Sequence, residues 1–169
     1  ELPKQLKQKS SLLNIKNIDN KCFLYTVLAH LHPELQQRCD VSSYSEFEGE
    51  VNMEGIRYPV KPEQISKIEK QNNFAINLHR LDSKHEACPM RISDCLERET
   101  VINLLLIANE YTQHYVLITN FSGFMSDLTK HNGKRFPCMR CFHGFSSEKG
   151  LKKHEDGCRK FKVQRTEMP

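Results

Sequence analysis

Apolar positions recur with a helical period in one early stretch of the chain. The residues at these three- and four-residue spacings are Phe23, Leu24, Val27, Leu28 and Leu31. This spacing is typical of a helix that buries one broad face. Turn and N-cap residues precede the stretch, so we expect the helix to begin near Lys21 and to end before Pro33.

The later apolar runs predict strands. Residues 62–72 still show amphipathic helical spacing, and four β-like runs follow at residues 74–81, 88–92, 101–108 and 114–119. Residues 101–108 form the most apolar run, as expected of a central strand, and a short polar connection joins them to the last run. We therefore predict an α+β fold with an antiparallel sheet in which the last two strands form a hairpin.

Composition changes this picture little. The chain of 169 residues suffices for one well-buried core and a small additional module, and 38% hydrophobic with 27% charged residues is ordinary for a folded protein. No run approaches the roughly 18 apolar residues of a membrane span, and the first residues lack the apolar centre of a secretory signal. We expect an intracellular protein, cytoplasmic or nuclear, that is a monomer and does not associate with membranes.

Cysteine content and charge refine the expected environment. Seven cysteines are an odd number, and two of them form a C-x-x-C pair with a His and a Cys downstream at metal spacing. A reducing compartment fits this pattern better than a disulfide framework. The net charge of +4 is mild and the basic residues concentrate after His131, so the overall charge does not by itself indicate nucleic-acid binding.

The strongest motif consists of metal-binding residue types at zinc-finger spacing: Cys138, Cys141, His154 and Cys158. Phe145 and Leu151 stand where a ββα finger places its small core. A closed site of four ligands has no open position, so we expect a structural zinc ion. The flanking Lys and Arg residues favour a weak nucleic-acid contact, but the helix lacks a clear base-reading set. A stabilising or protein-docking module is the favoured interpretation.

Cys22 stands where the polar turn changes into the predicted helix. A thiol at a helix N-terminus feels the partial positive charge of unpaired backbone N–H groups, which favours the thiolate and lowers the pKa from the free value of about 8.5. Such a nucleophile needs an imidazole from elsewhere in the fold. Of the eight histidines, His114 is best placed because it begins a late strand after a polar loop.

The other histidines fit this role less well. His30 and His32 lie on the helix of the thiol itself and cannot fold back to its N-terminus. His79 alternates within a strand, and His85 lies in a charged loop without an oxyanion site. The chain has a helix with Cys first, strands later and a His at the head of a late strand. This order resembles the sequence layout of papain-like peptidases.

These residues resemble a known family. The stretches N-x-D-N-K-C-F and L-L-L-I-A-N-E-Y-T-Q-H-Y-V-L-I-T-N-F, with the C-x-x-C that follows, resemble transposon-encoded proteins of animals. Their papain-like domain is similar to the deubiquitinases of herpesvirus large tegument proteins and of some bacterial effectors. The resemblance covers roughly residues 12–158. It implies a papain-like cysteine protease fold that cleaves after the C-terminal glycine of ubiquitin, with Cys22 as nucleophile and His114 as base.

Two asparagines are candidates for the residue that orients His114. In the tegument proteins an Asp lies two positions before the His, and that position here is Thr112. Asn120 occupies the position associated with the transposon group, yet six residues along a straight strand span about 20 Å. Asn120 is equally suited to cap the next turn. Asn109 lies in the loop that folds back toward His114 and is nearer by hairpin geometry.

An oxyanion hole requires the Cys22 backbone N–H and one side-chain donor that points at the developing charge. Asn17 and Asn20 are the candidates for this donor. Asparagines at these positions are also typical of a turn and of an N-cap, respectively. The choice between the two stays open.

We expect four segments: a polar lead-in at 1–11, a papain-like peptidase domain at 12–130, a CCHC zinc finger of ββα type at 131–162 and a tail at 163–169. The predicted function is that of a deubiquitinase whose partner is ubiquitin or a ubiquitin-like protein. Two alternatives stay open. One is a nucleic-acid-binding zinc-finger module of a mobile element with an inactive protease-like scaffold, and the other is a protease that processes the element's own polyprotein.

Overall fold

The computed structural model describes Lys4, Leu6, Lys7 and residues 9–128 and 134–161, with only the backbone at 126–128. Contacts along the chain divide it into two units, Glu1–Thr119 and Asn120–Pro169. The predicted boundary between residues 130 and 131 and the predicted tail at 163–169 lie outside the described residues. No helix in the described ranges is long and apolar enough to cross a membrane.

The first unit consists of one sheet, two α-helices and 3-10 helical segments. Its strands are β1 (Leu12–Leu13), β2 (Ala75–Leu81), β3 (Ala87–Arg91), β4 (Val101–Ala108) and β5 (Gln113–Ile118). Its α-helices are α1 (Cys22–Leu31) and α2 (Ile65–Asn72). The 3-10 segments cover Val41–Glu50 and Pro62–Gln64. The predicted helices and the four predicted β-like runs are all present, and Leu12–Leu13 adds a fifth strand.

The sheet is mixed, so the predicted antiparallel sheet is wrong in one pairing. The strand order is β1-β5-β4-β2-β3, and β2 runs parallel to β4. β3 is a partly exposed edge strand antiparallel to β2. The chain then crosses back and places β4 between β2 and β5. β4 is the most apolar strand, as expected of a central strand that is covered on both faces. The predicted hairpin of β4 and β5 is confirmed, with Leu104 opposite Leu117.

Helix α1 packs against the sheet through an apolar face. Phe23 and Tyr115 are completely buried, and their rings meet edge to face with centroids 5.1 Å apart. Val27 and Leu28 of the same helix face are also fully buried. Burying large side chains of this kind contributes about 2 kcal/mol each, so α1 and its first residue are held firmly on β5.

The second unit contains α3 (Phe121–Leu128), β6 (Phe136–Pro137), β7 (Gly144–Phe145) and α4 (Glu148–Cys158). β6 and β7 form an antiparallel pair. Ser147 caps α4, since its hydroxyl accepts a hydrogen bond from the Gly150 amide at 3.2 Å. Residues 134–161 therefore have the predicted ββα arrangement.

Candidate active site and metal centre

Cys22 is the first residue of α1 and is only 4% exposed. Burial raises the pKa of its thiol, although backbone N–H groups of Tyr115 and Phe23 interact with the sulfur and oppose this effect. The sequence led us to expect a lowered pKa, and that expectation is wrong for the free protein. Loss of contact with water destabilises the thiolate more than these backbone N–H groups stabilise it. At rest the thiol is protonated.

His114 lies on β5, between Gln113 and Tyr115, whose side chains are hydrogen-bonded to the same carbonyl group. Gln113 Nε2 and Tyr115 Oη each donate a hydrogen bond of 2.7 Å to the carbonyl oxygen of Val60. Alternate residues of a strand point to opposite faces, so these two bonds leave the His114 ring on the other face. The backbone that carries His114 is thereby held in one position.

Asn14, which was not among the site residues predicted from the sequence, binds the His114 ring. The ring Nε2 lies 2.6 Å from Oδ1 of Asn14. Burial lowers the pKa of His114, so the ring is neutral near pH 7 and can accept a proton. No local motif marks Asn14, since the two residues are 100 positions apart; pairing of β1 with β5 would have been the only signal.

Cys22 and His114 are neighbours through the backbone. The amide that interacts with the Cys22 sulfur belongs to Tyr115, and its nitrogen is bonded directly to the carbonyl carbon of His114. In the part of the chain that the structure describes, no hydrogen bond joins the thiol to the imidazole. The structure therefore places the thiol beside the backbone of β5 next to His114 and shows no direct contact between the two side chains.

The two predicted orienting residues have local roles. Asn109 Oδ1 accepts hydrogen bonds from the backbone N–H groups of Tyr111 and Thr112, at 2.9 and 2.8 Å, and so shapes the hairpin turn. Asn120 Oδ1 accepts from the Gly123 amide at 3.0 Å, which caps α3 in the second unit. These bonds are the turn and cap that such residues commonly form.

The two predicted oxyanion donors lie in the turn before α1. Asn17 directs its amide nitrogen to Asp19, 2.5 Å from the carbonyl oxygen and 2.8 Å from Oδ1. Asn20 is exposed. Asp19 also accepts hydrogen bonds from the Lys21 amide and the Tyr25 hydroxyl, at 3.0 and 2.9 Å. Asn17 therefore orders the turn, and the donation to Asp19 competes with any role at an oxyanion.

The second site is the cluster of predicted zinc ligands: Cys138, Cys141, His154 and Cys158. Their ligand atoms all lie within 4.8 Å of one another, so the cluster could hold a metal ion. Sulfur atoms about 2.3 Å from a tetrahedral zinc ion are about 3.8 Å apart, so the donor set and its spacing fit zinc. His154 and Cys158 project from successive turns of α4, and Cys138 and Cys141 flank the turn after β6.

Contacts within the second unit orient the four predicted zinc ligands. Cys141 Sγ lies 3.2 Å from His154 Nε2, so this nitrogen faces the cluster. The ring of Phe145 packs 4.8 Å from that of His154. Burial and the neighbouring thiols Cys138 and Cys141 raise the pKa of Cys158 to about 12. A bound divalent cation reverses such a shift because thiols lose their protons on coordination.

No family model, curated protein or solved structure matched the chain when it was compared with known proteins. The structure shows an α+β protein. Its first unit has a mixed five-stranded sheet, and its second unit has a ββα arrangement with a cluster of three cysteines and one histidine. The papain-like fold and the resemblance to transposon-encoded peptidases stay predictions.

Proposed function

We propose that this chain is an intracellular cysteine peptidase that cleaves after the C-terminal glycine of ubiquitin or a ubiquitin-like protein. Cys22 is the nucleophile and His114 is the base. The observation that carries the proposal is the position of the Cys22 sulfur at the backbone amide of the residue directly after His114. The choice of substrate rests on the resemblance of the motifs around the two residues.

The resting pair is neutral, which determines the first step. Burial raises the pKa of Cys22 and lowers that of His114, so the imidazole takes the thiol proton as the sulfur attacks the glycine carbonyl carbon. The resulting imidazolium gives this proton to the leaving amine, and a thioester remains on the sulfur. Water then hydrolyses the thioester with the same imidazole as base. The helix N-terminus stabilises the negative charge that develops beside Cys22.

The proposed role of the metal cluster is structural. Zinc bound by Cys138, Cys141, His154 and Cys158 has a complete set of four ligands and hence no position for substrate. When bound, it holds α4 against the β6–β7 pair, since the ligands come from both. Small units of this size lack a sufficient apolar core of their own.

A second candidate function is nucleic-acid binding by the second unit. Residues 134–161 carry eight Lys or Arg against three acidic residues, and Lys152 and Lys153 are exposed on α4. Basic surfaces of this kind bind phosphate groups in a salt-dependent manner. Fluorescence anisotropy with duplex DNA tests this candidate, because Lys152→Glu with Lys153→Glu should weaken the binding of every sequence equally.

Hydrolysis of a fluorogenic amide at the ubiquitin C-terminus tests the proposed function. The wild-type chain should release the fluorophore, while Cys22→Ala and His114→Gln should not. Cys39→Ala removes an exposed thiol elsewhere and is the matched control, with full activity expected. Equal activity of Cys22→Ala and wild type would refute the proposed nucleophile. Cleavage of the mobile element's own polyprotein, without any cleavage of ubiquitin conjugates, would favour the alternative in which the chain is a polyprotein-processing protease.

A further inference from the structure

We propose that Asn14 is the positioning residue of His114: its amide oxygen holds the Nε2–H group, so that Nδ1 is the nitrogen that exchanges a proton with Cys22. This inference rests on the proposed peptidase function for its catalytic consequence. The hydrogen bond that it assigns is a property of the protein alone.

The direction of the hydrogen bond follows from the atoms involved. An amide oxygen only accepts hydrogen bonds, so the His114 Nε2 that lies 2.6 Å from Asn14 Oδ1 carries the proton. In a neutral imidazole the other nitrogen, Nδ1, then has a free lone pair. The contact thereby selects both the tautomer and the orientation of the ring. A catalytic base requires both properties.

The pairing of β1 with β5 places Asn14 next to His114. β1 pairs antiparallel with β5, with Leu12 opposite Ile118 and Leu13 opposite Leu117. Extending this register by one residue places Asn14 opposite the residue two positions after His114, on the same face. Diagonal neighbours across antiparallel strands lie within reach of aromatic and long side chains, and an imidazole is one of these. The Thr119 amide donates a 2.9 Å hydrogen bond to the Ser11 carbonyl and anchors the other end of the strand.

Asn14 is better suited than the two asparagines predicted from sequence. The Oδ1 atoms of Asn109 and Asn120 accept backbone hydrogen bonds in their own turns. Asn14 Oδ1, by contrast, has the His114 ring as its partner. A neutral amide orients an imidazole without supplying the negative charge that would stabilise an imidazolium at rest. It therefore leaves His114 free to act as a base.

Nuclear magnetic resonance tests the assigned hydrogen bond without reference to activity. Long-range proton–nitrogen spectra of the full chain labelled with ¹⁵N identify the tautomer of each histidine, and His114→Gln identifies the signals of His114. We expect the Nε2–H tautomer in the wild-type protein near pH 7 and a mixture of tautomers in Asn14→Ala. An Nδ1–H tautomer in the wild-type protein, or an unchanged His114 signal in Asn14→Ala, overturns the inference.

Labelling kinetics test the catalytic consequence. Asn14→Ala should react with a ubiquitin C-terminal propargyl probe about 100-fold more slowly than wild type, the loss expected for a misplaced catalytic group. Asn14→Asp keeps an acceptor oxygen and should restore much of the rate. Its carboxylate raises the pKa of His114, so its pH–rate profile should move to higher pH. Lys16→Ala changes an exposed side chain two positions after Asn14 and should react at close to the wild-type rate.

The outcomes separate the two proposals. A wild-type chain that never reacts with the probe refutes the peptidase function, while the tautomer measurement still decides the role of Asn14. A reactive wild type with Asn14→Ala at the same rate and the same pH profile refutes the role of Asn14 alone. If Asn14→Ala fails to fold, the displaced profile of Asn14→Asp and the wild-type tautomer decide the inference.

Discussion

His79 allows a quantitative prediction about the pH dependence of stability. It lies on β2 and is fully buried, with Nε2 3.5 Å from Asn103 Oδ1. Burial lowers its pKa from 6.5 to about 4, although the contact with Asn103 opposes this shift. The unfolded chain therefore binds a proton at His79 more readily than the folded chain between these two values. Stability due to this group is present above pH 6.5 and is lost as pH falls toward 4.

The magnitude follows from the two pKa values. Acidification from about pH 7 to about pH 5 should remove about 2 kcal/mol of the free energy of unfolding, and a further fall to about pH 4 brings the loss to about 3 kcal/mol. Marginal stabilities of 5–15 kcal/mol are typical of domains, so this one residue should remove a large fraction of the total.

Urea unfolding followed by tyrosine fluorescence measures this effect, because all five tyrosines lie in the first unit. His79→Gln is the matched control: its side chain cannot gain a charge, so the variant should lose about 2 kcal/mol less than wild type between about pH 7 and about pH 5. Subtraction removes the contributions of other titrating groups. Parallel pH dependences of the two proteins would refute the assignment of this stability loss to His79.

The remaining predictions concern an ion pair and the metal cluster. The Glu69 side chain is 5% exposed and binds Arg91. Glu69→Leu should lower the free energy of unfolding by about 3 kcal/mol, because it leaves the partly buried Arg91 without its counter-ion and the Ile76 amide without its acceptor. Adding Arg91→Met should recover the part of this loss that is due to the unpaired charge. Urea unfolding would contradict this reasoning if the double variant were the less stable. Native mass spectrometry should find one zinc ion per chain and less zinc in Cys158→Ala, and a chelator should remove helix signal from the circular dichroism spectrum. Purified protein that stays free of metal in excess zinc would argue against the zinc site.

Local patterns predicted the elements of this chain well. The helical period around Val27 and the apolar run at Val101–Ala108 each correspond to an element close to the predicted bounds. The zinc-finger spacing likewise corresponds to a real cluster of ligand atoms. Periodicity, turns and ligand spacing all depend on near neighbours, and the folded structure preserves those relations.

Properties that depend on distant residues could not be predicted in this way. The parallel pairing of β2 with β4 depends on which strand takes the sheet edge, and the pattern of either strand alone is compatible with both directions. Asn14 reaches His114 only through the β1–β5 pairing. The pKa of Cys22 was predicted from its helix position alone, but its burial depends on the packing of the whole first unit.

Covalent capture by the ubiquitin propargyl probe tests the central claim most directly. The full chain should gain one ubiquitin, and peptide mapping should place the bond at Cys22. Since the pKa of the thiol is raised, the rate should increase as pH rises above neutral. An adduct that persists in Cys22→Ala, or a wild-type chain that forms none with any ubiquitin-like probe, would contradict the account.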